Sequence, residues 1–502
     1  MGLTLCNKLV CNTYPGVLKT CDNAALTAAP KPMTDGVGNN VPIALGTACA
    51  IYTGTHDFTG ATVTGITGAA GLVNGTGTDS MRSDITTIAA CALGTCSIAL
   101  GDGAYADGCN SIAIGKGATT LCAEGITMGF ASSANGLAAV AIGRGATSTE
   151  YAVGLGYGAS ANGLRAVAIG FGTIGTGDCS VTIGCGSAAR GTGSVAIGHD
   201  SETNTGVQDS VSIGRFNGVA HNQSVALGCC NFIGLICGTG TSNIGIGAVN
   251  CVEGNYNISI GSNNCAMNDC SIAIGRLSCV TNNFSIAMGN QSSASGACAI
   301  AMGNAALVTC NDGIAIGLSP QVTAFRAIAI GRETIASGNS NVAIGYLSQA
   351  TGALNSFAIG NQAVSSAESA FAFGPVSRAT CPYAISLGFA AGFQFGDATN
   401  GIYIGKCAGT VPTSTAAIAI GCNSGSGFVA PYAINLGVLT RATAACAIAI
   451  GYNVCANRAN VLTTCELETC VAGCGLIVKT PNGLSSYRIA VDNSGNLTTT
   501  LV

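Results

Sequence analysis

Residues 156–172 read GYGASANGLRAVAIGFG. The core of this stretch, a small residue followed by Val-Ala-Ile-Gly, returns along most of the chain with small changes of spelling. Anchored on the closing glycine, the series runs Gly101, Gly115, Gly129, Gly143, Gly156, Gly170, Gly184 and Gly198. It resumes at Gly247, Gly261, Gly275, Gly289, Gly303, Gly317, Gly331 and Gly345, and closes near Gly421, Gly437 and Gly451. The dominant step is about 14 residues. A fixed short period is the signature of a solenoid and takes precedence over readings of single segments.

The period is too short for helical hairpin repeats, and the alternation inside each phrase is two. In Ala166-Val167-Ala168-Ile169-Gly170 the bulky residues are Val167 and Ile169, and the others are small. That pattern predicts a strand with one large face and one small face. A second, weaker alternation follows in Ala159-Ser160-Ala161, before Asn162-Gly163. It returns in Ser292-Ser293-Ala294-Ser295-Gly296 and in Thr334-Ile335-Ala336-Ser337-Gly338. Each unit therefore reads strand, turn, strand, turn, with glycines where the chain needs positive φ or a close backbone approach.

Stacked coils pair each strand in parallel with its copy about 4.8 Å away, so some 25 coils make a rod on the order of 120 Å long. Val167 and Ile169 are expected to fill the coil interior, with Ala159 and Ala161 opposite. The backbone entropy of ordering a coil is close to what one Val, one Ile and the ladder hydrogen bonds return. A single narrow roll is thus near break-even, which calls for partners. The expected seam is the flat, uncharged Ala/Gly face, packed against identical neighbours. Composition alone permits a dimer or a trimer.

Composition excludes several classes. Charged residues make up 8% of the 502 positions, with 74 glycines, no tryptophan and 48% hydrophobic content. That is neither a disordered profile nor, without a three-residue glycine period, a collagen one. The net charge of −4 and the absence of a Lys/Arg block give nucleic-acid and anionic-membrane binding little support. No apolar run approaches a membrane span, and the opening MGLTLCNKLVCNTYPG has no signal-peptide core. The 27 cysteines are scattered, and most read as reduced thiols acting as small apolar fillers.

The recurring G-x-x-A-x-A-x-G-x-x-S-V-A-I-G phrase resembles the head repeat of YadA-like trimeric autotransporter adhesins. Gly193-Ser194-Val195-Ala196-Ile197-Gly198, Cys270-Ser271-Ile272-Ala273-Ile274-Gly275 and Asn341-Val342-Ala343-Ile344-Gly345 carry it, and it spans roughly residues 91–456. The resemblance implies a left-handed parallel β-roll assembled as a homotrimer. The signal peptide and membrane-anchoring barrel of those adhesins have no counterpart in this sequence. The ends are similar to other proteins. Leu18 to Ala28 with Lys31-Pro32-Met33-Thr34-Asp35-Gly36-Val37-Gly38-Asn39 resembles the openings of tailed-phage virion fibre proteins. The ending P-N-G…Y-R-I-A-V-D-N-S-G-N-L resembles their closing segments.

Four regions follow. Residues 1–45, with Pro15, Pro30, Pro32 and Pro42, read as an extended docking arm for other virion proteins. Residues 46–90 form a Thr/Gly-rich β stem and connector. Within it Met81, Ile85 and Ile88 follow possible caps Asp79 and Ser80, so Asp79–Ala90 is a short helix or an irregular loop. Residues 91–456 are the β-roll, with longer steps at Gly228–Gly247, Gly388–Gly405 and Gly405–Gly421, the first containing Phe232-Ile233-Gly234-Leu235-Ile236. These insertions are packing bulges or binding-face loops. Residues 457–502 lead to three short strands, with turns at Pro481-Asn482-Gly483 and Asn493-Ser494-Gly495, which read as a compact tip or a trimer-closing module.

No catalytic, cofactor-binding or metal-binding residue emerges. Gly156-Tyr157-Gly158 lacks the strand–GxxxxGK[ST]–helix context of a phosphate loop. His56, His199 and His221 read as surface residues. Asp102 with Asp107, and Arg332 with Glu333, sit on turns; a glycosidase pair needs a defined carboxyl separation. Cys465-x4-Cys470-x3-Cys474 has no nearby His and no familiar zinc spacing. Cys251, Cys265 and Cys279 fall at one phase of successive coils and should stack as free thiols, since parallel side chains are poorly aimed for a disulfide. The expectation is an all-β, non-enzymatic, homotrimeric fibre of a phage virion that binds a host glycan or protein. It involves no cofactor, nucleic acid or membrane insertion. A bacterial surface adhesin is the alternative, and a glycan-cleaving tailspike a more distant one.

Overall fold

The computed structural model describes residues 19–20, 31–34, 40–45, 50–52, 71–84, 89–234, 240–393, 399–409, 415–427, 429–465, 476–481, 484–492 and 494–502. The chain divides into two compact units, Met1–Val73 and Asn74–Val502. In the first, Lys19–Thr20, Lys31–Thr34, Asn40–Leu45 and Ala50–Tyr52 form an antiparallel sheet in sequence order. Its register shifts between Pro32 and Thr34, beside a proline that cannot donate to a ladder. The described strands of residues 1–45 are thus a sheet where the sequence predicted an extended arm.

The second unit is a parallel β-solenoid of about 26 turns. One ladder runs without a break from Ile98–Leu100 to Leu462–Thr464, copy on copy, as in Val167↔Val181, Ala168↔Thr182 and Ile169↔Ile183. A second, of two-residue strands, runs from Cys91–Ala92 to Arg378–Ala379 and reappears as Arg441–Ala442 on Cys455–Ala456. Between those stretches the coils are longer, the long ladder continues, and single bonds stand in for the second one: Gly392 N to Ala408 O at 2.9 Å and Gly409 N to Ser424 O at 2.8 Å. Residues 235–239, 394–398 and 410–414, within the longer steps, lie outside the described ones. Among the described residues there is no helix. Met81–Asp84 is a strand, with Met81 opposite Ile98 and Arg82 opposite Ala99, so the helical reading of residues 79–84 is corrected. The helical spacing of Met81, Ile85 and Ile88 that suggested it is outweighed by a ready edge of the ladder beside it.

The coil interior differs from the sequence reading in a way that alters the argument for assembly. Ala168 and Ala161 are fully buried, while Val167 and Ile169 are half-buried and point outward. The same inversion holds along the ladder: Ala99, Ala113, Ala141, Ala196, Ala273 and Ala329 are buried between outward-facing Val, Ile or Leu neighbours. The cause is width. A coil of about 14 residues brings its two strands so close that little beyond a Cβ fits between them. The Ala/Gly side is therefore the core of one chain and not a seam between chains.

Where one wall carries a larger residue, the facing wall gives way. Gly245 faces Ile233 and Val252, and Tyr403 is buried beside Gly401 and Gly409. The glycine that closes each strand has φ from +118° to +138°, and a methyl on Gly170 would strike the carbonyl of Gly184 in the next coil. The left-handed turn positions, by contrast, are mostly occupied by other residues, including Tyr151 (φ 55°), Arg165 (φ 57°) and Phe284 (φ 57°).

Polar columns tie the coils together from inside. Asn217, Asn231, Asn250 and Asn264 are buried one above another. Asn231 Nδ2 donates to Leu227 O and Gly247 O, both at 2.9 Å, while its Oδ1 accepts from Asn250 Nδ2 at 2.8 Å and Asn250 N at 3.2 Å. Ser278 takes over at the top of the column, donating to Ile274 O at 3.0 Å or Gly289 O at 2.8 Å. The tip is a separate three-stranded antiparallel sheet, Leu476–Lys479, Ser486–Val491 and Leu497–Leu501.

Candidate functional surfaces

The outward side chains of the long ladder form two parallel columns. One holds Val153, Val167, Val181 and Val195 and their equivalents; the other holds Leu155, Ile169, Ile183 and Ile197 and theirs. From Ile98 to Leu462 the columns contain Val, Ile, Leu, Met and Phe, with Thr464 the one polar member, at the last coil. No charged residue interrupts them. Their members are half-buried or exposed, and Phe357 and Phe371 stack with ring centroids 4.7 Å apart. A continuous apolar strip of this length far exceeds the ~300–600 Å² of the largest patch on a typical monomer. Patches of that size ordinarily mark interaction surfaces.

The turns carry a different chemistry. At the turn after the long strand, Phe130, Arg144, Tyr157 and Phe171 occupy successive coils. Arg144 lies 5.4 Å from the Phe130 ring centroid and 5.6 Å from that of Tyr157, and Tyr157 stacks on Phe171 at 5.1 Å. Arg332 sits over Tyr346 at 5.4 Å, and its Nε is 2.9 Å from Glu333 Oε1. A cleft of about 440 Å³ opens between Thr205, Val207, Asn222 and Asn255 on neighbouring coils.

The residues weighed in the sequence take these places. His56 lies outside the described residues. His199 is on the surface, with Nδ1 3.0 Å from Asp200 Oδ2 and its ring edge-on to Phe216. His221 is not on the surface: it is 1% exposed, with Nδ1 2.8 Å from Asn243 Nδ2. Gly234 and Gly240 leave room for its ring. Burial lowers its pKa, and the nearby Glu253 carboxylate works against that shift. Asp102 pairs with Lys116 at 3.2 Å, whereas Asp107 lies past the strand Tyr105–Ala106. Cys465 is a free thiol, and Cys470 and Cys474 lie outside the described residues.

Cys251, Cys265 and Cys279 stack in register as free thiols. In-register neighbours sit ~4.8 Å apart, whereas a disulfide needs Cβ atoms at ~3.5–4.5 Å and converging sulfurs. Hydrogen bonds to both neighbours push the Cys265 thiol up, and the bond from Cys265 brings Cys279 down to about 7. Among the described residues no three His, Cys, Asp or Glu side chains gather as a metal site. The asparagine columns and the apolar face of the tip escaped sequence reasoning. For the first, the 14-residue spacing of Asn217 and Asn231, and of Asn250 and Asn264, is the signal that could have revealed them.

A two-copy model of the YadA head domain repeat matches residues 92–118, 150–173, 183–205, 281–306, 323–348, 342–362 and 353–377. The chain thus carries YadA-like head repeats, spread across its solenoid. Repeats of this kind are associated with trimeric adhesins, which is consistent with the uncovered apolar columns. No curated protein matches the chain.

Proposed function

We propose that the chain is a non-catalytic fibre of three identical subunits, joined along the Val/Ile columns, that presents its turns and tip to a host surface. The continuous, charge-free apolar strip carries this reading. Three copies turning their strips toward a common axis would bury it and leave the polar and aromatic turn columns outside. A stiff fibre with three identical sets of weak contacts gains strength by avidity. Replacing Val167 and Ile169 with Asp in the full chain tests the seam: the variant is expected to sediment with a smaller mass than the wild type. An unchanged mass and unfolding midpoint would place the interface elsewhere.

The particular fibre we infer is a phage virion appendage, on a tail or a head, acting outside the host cell. The likeness of the Leu18–Asn39 stretch and of the closing P-N-G…D-N-S-G-N-L segment to virion fibre proteins supports it. The YadA-like repeats fit a bacterial surface adhesin equally well. Immunogold labelling separates the two: label on purified particles supports the virion reading, and label on particle-free cells supports the adhesin.

A further inference from the structure

The tip sheet has two unlike faces. Across its registers Leu476 pairs with Ile489, Val478 with Tyr487, Tyr487 with Leu501, and Val491 with Leu497. Paired residues share a face, so these apolar side chains all lie on one side, with Thr499 as its polar member. On the other, Ile477 and Ala490 lie among Lys479, Ser486, Arg488, Thr498 and Thr500. Both cations of the strands are therefore segregated from the apolar face. That face is uncovered: Leu497 is 77% exposed, Val491 and Leu501 64%, and Leu476 51%. A three-stranded sheet needs a packed hydrophobic face to be stable by itself, and this one has the face without the packing.

We propose that the apolar face of residues 476–501 is a clasp that closes only against the same face of the other copies of this chain. The inference rests on the trimer reading above. Copies held along the seam deliver three such faces at high effective concentration, always in the stoichiometry needed. Because the face holds no group that is charged at neutral pH, a tyrosine phenol such as that of Tyr487 being protonated there, three identical faces meet without like-charge repulsion, and the cations stay in water. The hairpin is shaped in advance: Asp492 Oδ1 accepts from the amides of Asn496 at 2.8 Å and Ser494 at 2.9 Å, which holds that carboxyl below its ordinary pKa. The clasp thus fixes the ends of the three chains in common register.

The test is amide exchange across 476–501 in the full chain, read alongside sedimentation. In the trimer these strands are expected to exchange on the order of 100-fold more slowly than free amides. A Val491→Asp/Leu497→Asp double variant is expected to lose that protection while coils 98–464 keep theirs. Thr500→Asp, on the polar face, should behave as wild type. In a solitary chain Val491 and Leu497 bury little, so the double variant would change almost nothing there. Loss of protection therefore reports contact between copies. A trimer whose tip amides exchange freely, or whose protection survives the double variant, overturns the clasp and leaves the seam intact. Protection that arises only in the presence of another protein overturns it in favour of a foreign partner. A wild-type chain that sediments as one subunit overturns the seam, and the clasp with it.

Discussion

At Gly245 and Gly247, two residues apart on the strand Ile244–Ala248, the same substitution has opposite consequences. A methyl on Gly245 would meet Ile233 at 3.5 Å and Val252 at 3.6 Å, an ordinary contact in a coil short of volume. Gly245→Ala is expected to stabilise by roughly 0.4–1 kcal/mol, chiefly by restricting the unfolded chain. Gly247 has φ +118° and faces the Gly261 carbonyl of the next coil, so Gly247→Ala should cost roughly 1–3 kcal/mol or more. Denaturant midpoints of the two variants check both signs. The second glycine was legible in the sequence from its period; the first was not, because its role depends on the larger side chains across the coil. Nor was the occupation of left-handed turn positions by residues such as Arg165 and Phe284, which have no local preference for them. His221 gives a further expectation. Its folded pKa lies below the unfolded 6.5, so the unfolded chain takes up the proton first. Stability is full above pH 7 and falls as pH drops below about 6.5 toward the folded pKa, by at most ~1.4 kcal/mol per pH unit. His221→Gln should flatten that slope relative to wild type in unfolding measured from pH 7.5 to 4.5.

The elements were predicted by the two-residue alternation inside a 14-residue period, and strand, turn, strand, turn is what each regular coil contains. Alternation alone cannot say which face points inward. Apolar bulk suggested Val167 and Ile169; the narrow coil admits Ala168 instead, against the Ala159 and Ala161 that were expected inside. The asparagine column shows the same constraint in polar form, since a buried turn leaves carbonyls that only a stacked side chain can reach. Asn231→Leu strips partners from Leu227 O, Gly247 O and the amide of Asn250. It should cost on the order of 2–5 kcal/mol. Asn231→Ser should cost far less, because Ser278 performs the same task in the same column. Amide exchange of residues 244–264 distinguishes the two. Where the period lengthens, after Gly228 and Gly388, the sequence located the insertions but not what they do.

For the whole molecule, the sequence reading expects association and assigns it to the Ala/Gly face. The alanines complete the core of one chain, so that face is not available for a seam. What remains uncovered is the Val/Ile strip and, at the tip, the face around Val491 and Leu497. Both are apolar and free of charge, which is why one assembly can satisfy both. Sedimentation equilibrium of the full-length wild-type chain under native conditions is the most direct test. The predicted result is a species of three times the chain mass, with the regular β-sheet signal intact. A well-folded species of one chain mass, stable with its strip in water, would contradict the account.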